Sequence, residues 1–391
     1  MNVLLPFSIL VLLLNPVDSD RVHKIHQRIL TLDTHADAPI TMQKPGFDVG
    51  EAHDRKTGSQ IDFPRMKAGG MDAMFFAVYM AQGPRTPEGH AGAKEKALRI
   101  FDSIHQALRR HSDLAELAVT PADAYRLEKM GKRAIFIGME NGYPVGEDLS
   151  LLKTYYDLGC RYITLSHFAN NAICDSATDP DGPLHNGLSE FGRKVVAEMN
   201  RLGILIDVSH VSDKTFYDVL ALSKAPVIAS HSNARALCDF PRNMSDAMIR
   251  DLAAKGGVIQ VNFVSDYLRK PSDAHRQALN SVRMATVGRV ITPELEARLE
   301  AKTDSIKRLY AHERASVADI AAHIDHIVKL AGVDHVGIGS DFDGGGGVDG
   351  LEDVSQIENL TRELLRRGYS EKDLAKIWGG NLLRVLEQAR K

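Results

Sequence analysis

Cysteine is scarce in this chain: 391 residues hold only three, Cys160, Cys174 and Cys238. Three scattered thiols build neither a disulfide framework nor a cysteine-based zinc site, and they allow one disulfide at most. A basic excess is also lacking. Lys and Arg number 48 against 51 Asp and Glu, the formal net charge is -3 and the isoelectric point is about 6.6. A nucleic-acid binder would carry a positive surplus. No apolar stretch reaches the length that spans a bilayer. Val3 to Leu14, within "MNVLLPFSILVLLLNPVDSD", instead has the length of a signal-peptide core, with Val17 and Ser19 as small residues before a cut near Asp20. Residues 1–19 therefore read as the export signal of a periplasmic or secreted protein. The signal is imperfect, because no Lys or Arg precedes the run and Pro6 interrupts it. The closing "LLRVLEQARK" reads as a polar-ended helix with no anchor signal, so no stable membrane attachment is expected. Internal repeats are absent, and "GGGG" at 344–347 is the one low-complexity patch.

What is present is one unit, many times over: a short β-branched apolar run, a polar or glycine terminus, then a helical pattern. The runs are "RILTLDTHAD", "MDAMFFAVYM", "RAIFIGMEN", "RYITLSH", "GILIDVSH", "APVIASHS", "GGVIQVNF" and "HVGIGSDFDG". Between them lie segments such as "FGRKVVAEMNRLG", with Val195, Val196, Met199 and Leu202 at helical spacing, and "SDAMIRDLAAKGG", with Ser245 placed as N-cap. Strands alternating with helices imply a parallel sheet, and eight such units imply a closed (β/α)8 TIM barrel. The rival doubly wound sheet would show a glycine-rich phosphate turn after its first strand, and none is there. Residues 20–391 thus form a single domain with insertions at about 81–131 and 264–334, of a size that serves lids, substrate walls or oligomer contacts. "GGGG" follows the eighth strand and reads as a flexible loop at the barrel mouth.

Active sites of such barrels lie at the C-terminal ends of the strands. Here those ends carry ionisable groups: His35 and Asp37 on the first run, Glu140 on the third, His167, His210 and His231 on the fourth to sixth, and Asp341 on the eighth. His35 and Asp37 are two apart and so share one face of a strand. Seven convergent imidazoles and carboxylates need a compensating charge, which divalent metal supplies. The donors are nitrogen and oxygen only, which suits zinc and equally cobalt, manganese or iron. Glu140, without an imidazole on its own strand, is the natural carboxylate to share between two ions. His35 with Asp37 and His210 with His231 then give balanced shells. Two metals about 3.5–4 Å apart would hold a bridging hydroxide at neutral pH, the mark of a hydrolase.

The segments "LDTHADAP", "IGMENG", "LSHFANN", "DVSHVSD", "ASHSNARAL", "RNMSD", "VGIGSDFDG" and "WGGNLLRVL", in order from about Leu32 to Val385, together resemble the membrane (renal) dipeptidase family, metallopeptidase family M19. The resemblance implies a metal-dependent hydrolase barrel of the amidohydrolase-like type with two zinc ions. His35 and Asp37 would bind one, His210 and His231 the other, and Glu140 would bridge them. It also implies that His167 contacts the scissile carbonyl and that Arg242 takes the free carboxylate of a dipeptide, helped by Tyr267. Asp341 would meet the substrate's amino group and relay the proton. Asp343 could share that face, but Asp341 lies nearer the strand end. His185 and Asn243 receive no role. The family accepts D as well as L residues at the second position and commonly forms dimers. Its animal members carry a GPI anchor and disulfides not expected here. A related amidohydrolase acting on a cyclic amide, lactam or N-acyl amino acid is the alternative. Many of those bridge their metals with a carboxylated lysine on the fourth strand, which here ends in His167. A binding protein that has lost turnover would lack a ligand, and none is missing.

Overall fold

The computed structural model describes residues 18–54, 59–283, 285 and 293–390; the segment read as an export signal lies outside them up to residue 17. Nine strands are present among the described residues. They are β1 (Leu32–Ala36), β2 (Ala73–Tyr79), β3 (Ala115–Leu117), β4 (Arg133–Glu140), β5 (Cys160–Thr164), β6 (Leu205–Asp207), β7 (Ile228–Ala229), β8 (Val258–Val261) and β9 (Val336–Ile338). The strand pairings are parallel, in the order β1-β2-β4-β5-β6-β7-β8-β9. Past β9 the chain returns to β1 through a bridge between Ala36 and Phe342, with Asp37 N–H donating to the Phe342 carbonyl at 2.8 Å and Asp341 N–H to that of His35 at 3.0 Å. This is the expected eight-stranded barrel, one strand from each apolar run. Parallel strands walled by helices are buried on both faces, so they read as unbroken apolar runs.

The helices between strands follow the pattern that announces them. Glu190–Leu202 starts where the Ser189 hydroxyl accepts the Gly192 N–H at 2.8 Å, buries Val195, Val196 and Met199, and stops at Gly203 in a left-handed turn (φ 77°). Asp246–Ala254 is capped by Ser245 in the same way.

The two long connections are helical as expected. That between β2 and β4 holds helices Pro87–Arg110 and Pro121–Lys129; that between β8 and β9 includes Asp273–Arg283, Pro293–Leu309 and Val317–Ala331. The first also contains β3, which the sequence pattern did not announce. It pairs with Arg133–Ile135 of β4, along the edge that β5 joins only from Ile137 onward.

Inside the barrel, beneath the mouth, Phe75 stacks on Phe136 (4.8 Å between ring centroids) and leans on Tyr162 (5.2 Å). Gly138 makes room there, since a Cβ at that position would lie 2.1 Å from the Tyr162 ring. Tyr162 can therefore cross the interior and reach up to His35. All three cysteines are free, buried thiols. Among the described residues no helix is long and apolar enough to cross a membrane.

Candidate metal centre

The strand ends bring four potential ligands, His35, Asp37, His210 and His231, around Glu140, the last residue of β4. Its two oxygens are divided between two groups. Oε1 lies 3.1 Å from His210 Nε2 and 3.2 Å from His231 Nε2, and those two nitrogens are 3.0 Å apart. Oε2 lies 3.5 Å from His35 Nε2, which is 3.6 Å from Asp37 Oδ2. Ligands at about 2.0–2.1 Å from a tetrahedral ion stand about 3.3 Å apart, so both groups have the spacing of ligand shells.

Hydrogen bonding on the far side of the His231 and His35 rings agrees with that use, whereas His210 Nδ1 has no partner among the described residues. His231 Nδ1–H donates to Ser230 Oγ at 2.7 Å, and Ser230 O–H donates to Asp207 Oδ2 at 2.6 Å. Asp207, fully buried, also accepts from Thr164 Oγ1 and from the backbone N–H groups of Ser209 and Ser230. This relay keeps the proton on Nδ1 and leaves the Nε2 lone pair facing His210. His35 Nδ1 is 2.8 Å from the Tyr162 hydroxyl. On the near side, His35 Nε2 and Asp37 Oδ1 are buried with no hydrogen-bond partner among the described residues. Buried polar atoms are normally satisfied, so these orphans mark where a cation belongs.

The charges agree. Burial alone would raise Glu140, but His35, His167, His210 and His231 hold its carboxyl well below the usual range. Burial pushes His210 and His231 well below the usual imidazole value, into the neutral form that ligates. Burial, with the Glu140 charge beside it, raises Asp37 to about 7. Burial would lower His35, yet Tyr162 and Glu140 carry it well above the ordinary value, so His35 would release a proton on binding a cation.

Around this centre stand the other predicted residues. His167 Nε2 is 3.6 Å from Glu140 Oε1, its ring edge-on to Tyr79 at 5.0 Å, and burial lowers it to about 4. Arg242 is 3% exposed. Its Nη1 donates to Ser232 Oγ and its Nη2 to the His231 carbonyl, both at 2.7 Å, while Nε has no partner among the described residues. Tyr267 packs on Phe240 at 4.9 Å; burial pushes its phenol up to about 12, against the pull of Arg242. Asp341 joins His35 and Asp37 in a third potential ligand group and has its Oδ2 held by Asn262 Nδ2 at 2.8 Å. Asp343 turns away, accepting from Gln60 N–H at 2.6 Å and from Ser59 Oγ at 3.2 Å. His185 donates to the Asn171 carbonyl, and Asn243 ties the Cys238 and Tyr267 carbonyls together.

The "GGGG" run differs from the flexible loop expected. Gly346 N–H donates to the Asp341 carbonyl at 2.7 Å and Gly347 N–H to that of Phe263 at 3.1 Å. A Cβ at Gly344 would meet Asp37 Oδ2 at 2.0 Å and Asp341 Oδ1 at 2.3 Å. Gly344 is there for close approach to two carboxylates, and Gly346 for close approach to the backbone of Ser340 and Asp341. Sequence reasoning also passed over Tyr79, Phe168, Asp207, Ser230 and Asn262. Tyr79, Asp207 and Asn262 end or immediately follow apolar strands, the same signal that exposed the ligands.

A parallel eight-stranded barrel whose strand ends gather imidazoles and carboxylates into ligand shells defines a metal-dependent hydrolase. The sequence profile described as membrane dipeptidase, peptidase family M19, matches residues 19–391, and the chain belongs to that family. It is 34% identical over 340 residues to the dipeptidase aclJ of Aspergillus oryzae, covering 85% of this chain and 71% of that one. Among solved structures it resembles the probable dipeptidase PvdM from Pseudomonas aeruginosa, at 34% identity and a TM-score of 0.83 over 95% of this chain and 98% of that one. It also resembles a metallopeptidase from Rhodobacter sphaeroides liganded with a phosphinate mimic of the dipeptide L-Ala-D-Ala. There the identity is 26% and the TM-score 0.74, over 92% of this chain and 99% of that one.

Proposed function

We propose that the protein is a zinc-dependent dipeptidase that hydrolyses the peptide bond of free dipeptides, with an L residue first and an L or D residue second. The observation that carries this reading is Arg242, a buried guanidinium without a carboxylate partner among the described residues, bonded through His231 to the candidate metal centre. A planar fork of this kind matches a carboxylate. The dipeptide mimic bound by the Rhodobacter sphaeroides relative supports the substrate class.

Two zinc ions, one held by His35, Asp37 and Glu140 and the other by Glu140, His210 and His231, would supply Lewis acidity and a lowered water pKa at neutral pH. The chain's own groups do the rest. Arg242, with Tyr267 beside it, fixes the C-terminal carboxylate and so sets which bond reaches the centre. Asp341, held by Asn262 through Oδ2, accepts the substrate's ammonium. His167, neutral at physiological pH, directs an N–H at the scissile carbonyl oxygen. Burial raises the Asp341 carboxyl, which suits it to take a proton from the attacking water and return it to the leaving amine. The apolar segment Val3 to Leu14 is the export signal in this reading, and the enzyme works outside the cytoplasm, as a dimer like much of its family.

The test uses purified, zinc-loaded protein with L-Ala-L-Ala, L-Ala-D-Ala, tri-alanine and L-Ala-L-Ala amide. The two free dipeptides should be cleaved and the others spared. Chelation should abolish turnover, zinc should restore it, and elemental analysis should find two ions per chain. Cleavage of a cyclic amide with no dipeptide turned over would sink the reading.

A further inference from the structure

We propose that Phe168 is a specificity-determining residue: its open ring is the platform on which an apolar side chain of the substrate's C-terminal residue lies. The inference rests on the dipeptidase reading and names the side-chain class that reading leaves open. Scattered exposed apolar residues are ordinary, so exposure alone decides nothing. The position of this one does. Phe168 is 44% exposed, yet its ring lies 4.0 Å from that of His167 and 5.3 Å from that of His210, the latter edge-on at 71°. One side rests on the imidazoles at the candidate centre and the other opens at the barrel mouth.

The backbone that carries the ring is also held in place. The His167 carbonyl accepts from Ser176 Oγ at 2.5 Å and the Phe168 carbonyl from Thr178 Oγ1 at 3.3 Å. Two residues on, Asn170 N–H donates to Asp179 Oδ2 and its side-chain amide to the Gly182 carbonyl, both at 2.7 Å. A surface already fixed loses little freedom when a ligand settles on it.

Topology says which end of the substrate it serves. In the ring of strands β5 stands half a turn from β9, so Phe168 faces Asp341 across the mouth. Arg242 stands between the two: β7, which carries His231, is two strands from β5 and two from β9, and Arg242 bonds to the carbonyl of His231, whose Nε2 is 3.0 Å from that of His210, against which Phe168 leans. A dipeptide with its ammonium at Asp341 and its carboxylate at Arg242 lays its C-terminal residue beside Phe168. Leu, Met and Phe fit this wall; Gly leaves it wet.

The experiment measures kcat/KM with zinc-loaded full-length protein for L-Ala-X (X = Gly, Ala, Leu, Phe) and X-L-Ala. Wild type is compared with Phe168→Ala and Phe168→Leu. Wild type should favour C-terminal Leu and Phe. Phe168→Ala should lower the Leu-to-Gly ratio in the L-Ala-X series by about tenfold, the scale of a few methylenes in an apolar pocket. Phe168→Leu should lower it less, and it carries the test if the alanine variant fails to fold. The ratios in the X-L-Ala series should stay put. An equal loss for every X would reduce Phe168 to a prop for His167 and overturn the proposal. So would unchanged ratios, or a shift confined to the X-L-Ala series. Wild type that cleaves no dipeptide at all overturns the dipeptidase reading itself, whereas turnover with flat selectivity overturns this inference alone.

Discussion

Arg242→Met removes a guanidinium that is nearly sealed from solvent and has no carboxylate of its own chain in an ion pair among the described residues. Its two consequences should run in opposite directions. Losing one partner of a buried, hydrogen-bonded charge pair costs about 2–5 kcal/mol. If the missing partner is the substrate carboxylate, kcat/KM falls by roughly 30- to 5,000-fold at about 1.36 kcal/mol per decade. The folded chain, by contrast, loses two hydrogen bonds worth about 1 kcal/mol each. It also sheds a desolvated, uncompensated cation, whose burial costs several kcal/mol. The Tm without substrate should therefore hold or rise. Calorimetry gives the second quantity, and kcat/KM for a free dipeptide and its C-terminal amide gives the first. Wild type should strongly prefer the acid, the variant should lose most of that preference, and Arg242→Lys should recover only part, because a point charge does not reproduce the fork. A lowered Tm with the acid-to-amide ratio unchanged would refute the reasoning. Arg242 would then be a brace for the His231 loop.

Ser230→Ala cuts the relay from His231 Nδ1 to Asp207, and metal affinity should fall about 10–100-fold at the His210–His231 side, read by competition with a chelator dye. Full affinity in that variant would show that the relay does not orient the ligand. His323 is held neutral between the Ala234 N–H, which donates to Nδ1 at 3.0 Å, and the Leu268 carbonyl, which accepts from Nε2 at 3.0 Å. Burial lowers it from 6.5 to about 4. The unfolded chain therefore takes up the proton first. Stability from this group is full above pH 6.5 and is lost as pH falls toward 4, by up to about 3 kcal/mol. Urea midpoints at pH 7 and pH 5 should differ more in wild type than in His323→Gln; equal differences would exclude His323 as the source.

The barrel was legible because each of its strands is buried on both sides and bounded by a polar end, and the ligands were legible because they are those ends. What escaped has physical causes. β3 is three residues, Ala115–Leu117, with no β-branched side chain; it is a strand only because β4 outruns β5 on that edge. Asp207 and Ser230 look like loop polarity in sequence and become a relay only when parallel pairing sets β6 beside β7. Phe168 carries no pattern at all, since its meaning is the pair of rings beneath it. The sequence favours Asp341 over Asp343 only by its place nearer the strand end; in the structure Asn262 holds the first and the Gln60 N–H the second.

The seam where the barrel closes also sets the order in which an active molecule can arise. Across it, Ser340 N–H reaches Asp33 Oδ1, 307 residues away in sequence, and a single bridge from Ala36 to Phe342 completes the ring. During synthesis the first strand leaves the ribosome long before its partner is made, with one edge open and two of its ligands in place. Contacts of such separation form late and slowly. Every imidazole of the centre lies ahead of the seam, so a chain cut before Ser340 would keep all four histidines and have no closed ring to aim them.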